Sequence, residues 1–154
     1  MNSVSEQMSE GKIFMHRAIM QPPPELFVDH INRNGLDNRR ANLRTCTRRQ
    51  NIHNQPSKRT SISRFKGVEY RKDRDKCYAR IRVQGKRLWL GTFSDEVDAA
   101  RAYDHAAVQH FGPFAHLNFP EEWPPERRAQ IHTQAQAMLK KKGPEGRKAT
   151  SDKA

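Results

Sequence analysis

The chain has 154 residues, 34% of them hydrophobic and 30% charged, with 29 Lys and Arg against 17 Asp and Glu and a formal net charge of +12. So lean an apolar content excludes one large core and favours two compact units with modest cores. The charge balance points to a polyanion as partner, most often nucleic acid, and no apolar run is long enough to span a membrane.

The charge is spread along the chain. Residues 12–62 hold 10 Lys and Arg against 3 Asp and Glu, and residues 63–120 hold 11 against 7. Residues 1–11 are polar and expected to be disordered. The N-terminus lacks the basic start and apolar run of a signal peptide, so the protein is expected to be intracellular. Cys46 and Cys77 are single and far apart. No Cys-x-x-Cys clasp exists, no zinc site is expected, and each thiol reads as a small buried hydrophobe in a reducing compartment.

In chain order, Lys12 to Met15 reads as a short strand and His16 to Met20 as a helical turn stopped by Pro22, Pro23 and Pro24. His16 reads as a packing or phosphate-facing residue. Leu26 to Ile31 reads as a strand, with Phe27 and Val28 apolar before Asp29 and His30. Asn34-Gly35 signals a tight turn. Arg39, Arg40 and Arg44 crowd the return, where they repel unless phosphate lies near. Thr45 or Thr47 is placed to cap a helix through about His53. Arg48 and Arg49 sit in its first turn, the end where the helix dipole disfavours cations.

Within Val28 to Asn54 an acid, an imidazole and two amides stand in order: Asp29, His30, Asn42 and Asn51. An Asp carboxylate and an Asn carbonyl are hard oxygen ligands for a divalent cation. A neutral His takes a proton from water near pH 7. Asp-His pairs also arise by chance, and Asn is common in turns, so residue types alone leave the site open.

The run DHINRNGLDNRRANLR followed by QNIHNQ resembles the HNH endonuclease motif, in its phage and bacterial homing-type branch. The resemblance covers roughly residues 12–55 and implies a β-hairpin followed by a helix around one metal ion. It implies Asp29 and Asn51 as ligands of Mg²⁺ or Mn²⁺, His30 as general base and Asn42 as a brace of the loop. It also implies a bacterial or phage-infected cell as the setting.

Residues 56–62 are polar and read as a linker. A second unit begins near Ser63. Cys77 to Val83 alternates, with Cys77, Ala79, Ile81 and Val83 on one face and Tyr78, Arg80 and Arg82 on the other, as in a half-buried strand. A two-residue turn at Gln84-Gly85 returns a second strand over Lys86 to Gly91. That register sets Arg82 against Arg87, Arg80 against Trp89, Ile81 against Leu88 and Ala79 against Leu90. Like charges facing each other destabilise a sheet, so such a face suits a nucleic-acid groove. Ser94 is expected to cap a helix whose core stripe is Val97, Ala100, Tyr103, Ala107 and Phe111, ended by Gly112-Pro113.

The segments WLGTF, AARAYD and LNFP resemble the ethylene-response-factor (apetala-type) DNA-binding domain over residues 63–120. The resemblance implies a three-stranded antiparallel sheet packed on one helix, with the sheet in the major groove of double-stranded DNA. It maps DNA contacts onto Lys66, Arg71, Arg80, Arg82, Arg87 and Trp89, and the arginines Arg39, Arg40 and Arg44 add basic contacts from the first unit. Glu69 and Asp73 depart from the family pattern. Glu69 either accepts from cytosine or forms an internal ion pair.

Trp123 is expected to pack back on this unit. Pro125 suits a first helical turn, and Ile131, Ala135 and Leu139 suggest a weak helix. The chain past Lys142 reads as a disordered basic tail. The expected fold is thus α+β: a ββα-metal unit, a three-stranded sheet on one helix, and a weakly helical or disordered tail. Two functions remain in competition. One is a metal-dependent DNA endonuclease targeted by the second unit. The other is a non-catalytic DNA-binding protein or transcription regulator with a relic HNH unit. A basic RNA-binding or ribosome-associated protein fits the charge but not the motifs. Nothing marks a dimer seam.

Overall fold

A computed structural model describes residues 13–56 and 63–141. The expected disordered segments at 1–11 and past 142 lie outside the described residues, as does 57–62 of the expected linker. The fold is α+β, as the sequence implied.

The first unit opens with α1 (Met15–Met20), which Gln21 ends in a left-handed conformation at φ 44°. The strand expected just before it is absent at Ile13 and Phe14, and Phe14 is instead the residue that leads into the helix. Strands β1 (Phe27–His30) and β2 (Leu43–Cys46) pair antiparallel, and α2 (Arg48–His53) follows. Thr47 caps α2 in a reciprocal box with Gln50, which satisfies orphan N–H groups at the helix start. The long loop between the strands is tied internally. Asn42 donates from Nδ2 to Asp37 O at 2.8 Å and to Asn32 Oδ1 at 2.9 Å, and its own Oδ1 accepts from Asn32 N at 3.0 Å.

The second unit is a sheet in the order β3 (Val68–Arg71), β4 (Lys76–Val83), β5 (Lys86–Phe93), packed on α3 (Glu96–Phe111). Its inner face sets Val68, Cys77, Ala79 and Ile81 against Ala99, Ala100, Tyr103 and Ala107. The alanines let the helix lie close. The turn at Gln84-Gly85 has φ of 50° and 83°, the geometry that matches strand twist in a two-residue hairpin. The pairs Arg82–Arg87, Ile81–Leu88 and Arg80–Trp89 follow from it. The expected Ala79–Leu90 pair does not form. Ala79 faces Gly91, and Leu90 is the extra residue of a β-bulge. Asp95, not Ser94, caps α3, accepting from Val97 N and Asp98 N, while Ser94 Oγ accepts from Lys76 Nζ at 2.9 Å.

Beyond α3, Trp123 is buried in the same core as Ile81, Tyr103 and Leu117, and α4 (Pro125–Lys141) adds Ile131 to its rim. The Leu117–Phe119 segment is held by Asp104, which is fully buried. Asp104 accepts from Asn118 N and Phe119 N, both at 2.8 Å, and from Asn118 Nδ2 at 3.0 Å. Burial pushes its carboxyl pKa up, and those N–H groups pull it back.

The two units touch through α2. The His53 ring stacks on Phe111 at 3.7 Å between centroids and 10° between planes. His53 O accepts from Lys66 Nζ at 2.8 Å and from His116 N at 3.2 Å. Lys66 Nζ also donates to Gln55 O. A cation at the C-terminal end of a helix is well placed for its dipole. From β2, Arg44 Nη1 donates to Pro113 O at 2.7 Å, and its guanidinium lies 4.2 Å from the Phe114 ring centre.

Two outcomes follow from this packing. Asp104→Ala strands the backbone N–H groups of Asn118 and Phe119 and is expected to cost about 3 kcal/mol, or roughly 10 °C in melting temperature. A fall of less than about 2 °C in a calorimetric scan would show that Asp104 does not hold this segment. Burial, then the charge of Lys66 and of Arg49, pushes the His53 imidazole down to about 4, while burial, then Arg33 and Lys66, does the same for His116. The unfolded chain therefore binds more protons between the ordinary 6.5 and about 4. The stability these groups contribute is present above 6.5 and is lost as the pH falls through about 4. His53→Phe keeps the stack on Phe111 and should flatten that acid limb in melting curves taken across the window. An unchanged limb would place the acid sensitivity elsewhere.

Candidate functional site

Cross-strand pairing puts Asp29 opposite Arg44. Arg44 donates to Asp29 Oδ2 from Nε at 2.9 Å and from Nη2 at 2.7 Å. Asp29 is 6% exposed. Asn54 Nδ2 reaches both Asp29 oxygens and His30 O, each at 3.0 Å. Asp29, His30, Asn51 and Asn54 line one cavity of about 290 Å³, with Arg33 and Gly35 at its rim. Among the described residues no three His, Cys, Asp or Glu side chains gather as a metal cluster.

His30 Nε2 lies 3.1 Å from Asn38 Oδ1. An imidazole that donates there keeps Nδ1 free to accept a proton. The His16 ring stands edge-on to His30 at 5.3 Å. Burial, then the neighbouring His30, lowers the pKa of His16. The residue that sequence reasoning passed over is Asn54. It follows Asn51 by three positions, and residues so spaced share a helix face, so the spacing itself carried the signal.

The crowded arginines each have an internal partner. Arg39 pairs with Asp37 at 2.8 Å and holds its carboxyl well below the usual carboxylate range, while Arg40 donates to Ile19 O at 2.9 Å. Arg44 is the interior member, its side chain 16% exposed. The guanidinium expected to meet phosphate is occupied by Asp29 and Pro113 instead. Lys66 likewise turns inward to α2, and burial lowers its pKa to about 8.

The outer face of the second sheet carries Glu69 and Arg71 on β3, Tyr78, Arg80 and Arg82 on β4, and Arg87 and Trp89 on β5. Glu69 pairs with Arg80 at 3.0 Å and lies 3.7 Å from Arg71. That is the internal ion pair, not a free acceptor. The Arg80 guanidinium sits 5.3 Å from the Trp89 ring centre, and Trp89 packs on Tyr78 at 5.0 Å. Tyr78 is thereby buried, although it points outward, while Trp89 stays 55% exposed. Arg82 and Arg87 face each other in the open. No described helix is long and apolar enough to cross a membrane.

Residues 22–53 match the family model described as HNH endonuclease. Asn54 lies one residue past that match. Among curated proteins, the chain is 45% identical over 71 residues to dehydration-responsive element-binding protein 2E of Arabidopsis thaliana, covering 40% of this chain and 29% of that protein. It is 42% identical over 88 residues to ethylene-responsive transcription factor ERF010 of the same plant, covering 56% of this chain and 47% of that protein. It is 48% identical over 58 residues to an AP2/ERF and B3 domain-containing protein of Oryza sativa subsp. japonica, covering 38% and 16%. The chain thus spans less than half the length of these relatives, all of them plant proteins and none from a phage or bacterium. No solved structure matches. The chain joins a segment similar to HNH endonucleases to a segment similar to ethylene-responsive transcription factors.

Proposed function

We propose that the chain is a duplex-DNA-binding protein of regulatory type, in which the outer face of β3–β5 reads the major groove and the HNH unit no longer cuts. The observation that carries the reading is the outer face itself. Arg82 and Arg87 stand opposite each other with an exposed Trp89 beside them, a costly arrangement in water that phosphates and base edges would relieve. Relatives named as transcription factors and response-element-binding proteins support it.

The donor set of the first unit argues for a relic. A divalent cation needs oxygen donors with lone pairs to give. Asp29 receives four N–H bonds, three of them on Oδ2, and the Asn54 amide presents nitrogen. As folded, these residues brace one another and do not fit a cation. The Asn54 amide would have to turn its oxygen inward for the site to accept one.

One observation keeps the nuclease reading in play. Asp29, His30 and Asn51, within the segment that matches the endonuclease family, share a cavity with Asn54, one residue beyond it. On that reading Asp29 and Asn51, with a turned Asn54, would hold Mg²⁺ or Mn²⁺. The ion would supply charge stabilisation at a phosphodiester. His30 Nδ1 would take the proton of an attacking water, and Asn42 would hold the loop in place.

Supercoiled plasmid incubated with the full chain and Mg²⁺ or Mn²⁺ separates the two. The proposal expects intact plasmid retarded in a gel, with Trp89→Ala weakening duplex binding by about ten-fold, as loss of one contact to a base edge in the groove implies. Metal-dependent nicking that His30→Ala abolishes would replace it with the endonuclease.

A further inference from the structure

A broad groove of about 670 Å³ opens between the two units. One wall is α2, through Arg48, Arg49, Ile52 and His53. The other is the far half of β4, through Arg80, Ile81 and Arg82, with Lys66 and Phe111 at the floor. No acidic side chain of the described residues lines it. Arg48 and Arg49 are exposed, and neither has an ion pair among the described residues.

The groove exists because β4 outruns β3. Pairing with β3 stops at Ala79, so beyond it β4 has β5 on one side only. Helix α2 stands across the open side, anchored by the His53–Phe111 stack and the Lys66 bonds. The spacing of residues along α2 divides its roles. Asn51 and Asn54 share the face turned to Asp29, whereas Arg48 with Ile52, and Arg49 with His53, lie four apart on the face turned to the sheet.

We infer that Arg48 and Arg49 form a phosphate clamp, gripping the backbone of the same duplex whose major groove takes the outer face of the sheet. This rests on the DNA-binding reading above. Beyond Ala79 two strands about 4.8 Å apart are flanked by a helix about 10 Å across, together wider than the roughly 12 Å major groove. What stands beside the edge of a sheet seated there is over a phosphate strand. Arginines in that position are continuous with Arg80 and Arg82 and meet the charge they lack inside the protein. They position the protein without reading bases.

The test is duplex binding by the full chain over a salt series, compared with the R48Q/R49Q and R48K/R49K variants. Neutralising two phosphates contributes about 1.8 to the slope of log affinity against log salt, which is roughly ten- to thirty-fold in affinity at physiological salt. R48Q/R49Q is expected to lose that much, while R48K/R49K keeps the slope. The duplex sequence selected from a random pool is expected to stay the same for all three. Both arginines are exposed, so melting temperatures should match; if the double variant melts early, R49Q alone carries the test, with half the loss of slope. If the parent binds but R48Q/R49Q binds with the same affinity and slope, the groove serves another occupant, such as a segment of a second protein, and the clamp is overturned. If the parent shows no duplex binding at all, the DNA-binding reading itself has failed. A changed base preference in R48Q/R49Q would also overturn the clamp, because it would make these arginines readers of sequence.

Discussion

The Arg44 guanidinium is the point on which the two units depend. It spends two N–H groups on Asp29 inside the first unit, a third on Pro113 O of the second, and its flat face on Phe114. A largely buried charge pair is costly to break, by about 3–5 kcal/mol when one partner is removed. Asp29 cannot leave the pair without stranding Arg44, and Arg44 cannot turn to solvent without loosening the contact between units. The residue most suited to bind a cation is thus the residue that helps hold the molecule together. That double commitment is the physical reason for preferring a binding protein to a cutting one.

Helix α2 carries the same logic outward. It is only six residues long, and packing rather than propensity holds it, since helices so short are not stable alone. Thr47 and Gln50 cap its start, Lys66 from the other unit holds its end, and Phe111 covers the His53 ring. Fixed from both sides, it shows amides to one cavity and arginines to the other. A unit that resembles a nuclease is thereby placed as a flank of the three-stranded sheet.

Much of the fold was legible because local chemistry set it. Alternation from Cys77 to Val83 and a Gln-Gly turn were enough to fix Arg82 against Arg87 and Arg80 against Trp89. The register failed only at Ala79, where a bulge absorbs Leu90 and Gly91 takes φ 144°, a shift that no repeating pattern announces. Ser94 and Asp95 are adjacent and both suited to cap, so the choice between them rests on where the strand releases the chain. Lys66 looked free for phosphate because its partners are the carbonyls of His53 and Gln55, across the unit boundary, which leave no mark in composition. Arg44 looked free because Asp29, its carboxylate partner across the hairpin, read as a metal ligand, and Pro113 O lies far along the chain. Asn51 and Asn54 share a helix face, and only the three-dimensional position of Asp29 shows which amide meets it.

The most direct test of the account is selection of binding sites from a pool of randomised duplexes by the full chain in the presence of Mg²⁺, followed by sequencing of what is retained. The account expects one short motif to be enriched, recovered on intact DNA, with the enrichment lost in the Arg82→Ala/Trp89→Ala variant. Recovery of duplexes without a common motif, or of fragments cut at a fixed place, would contradict it.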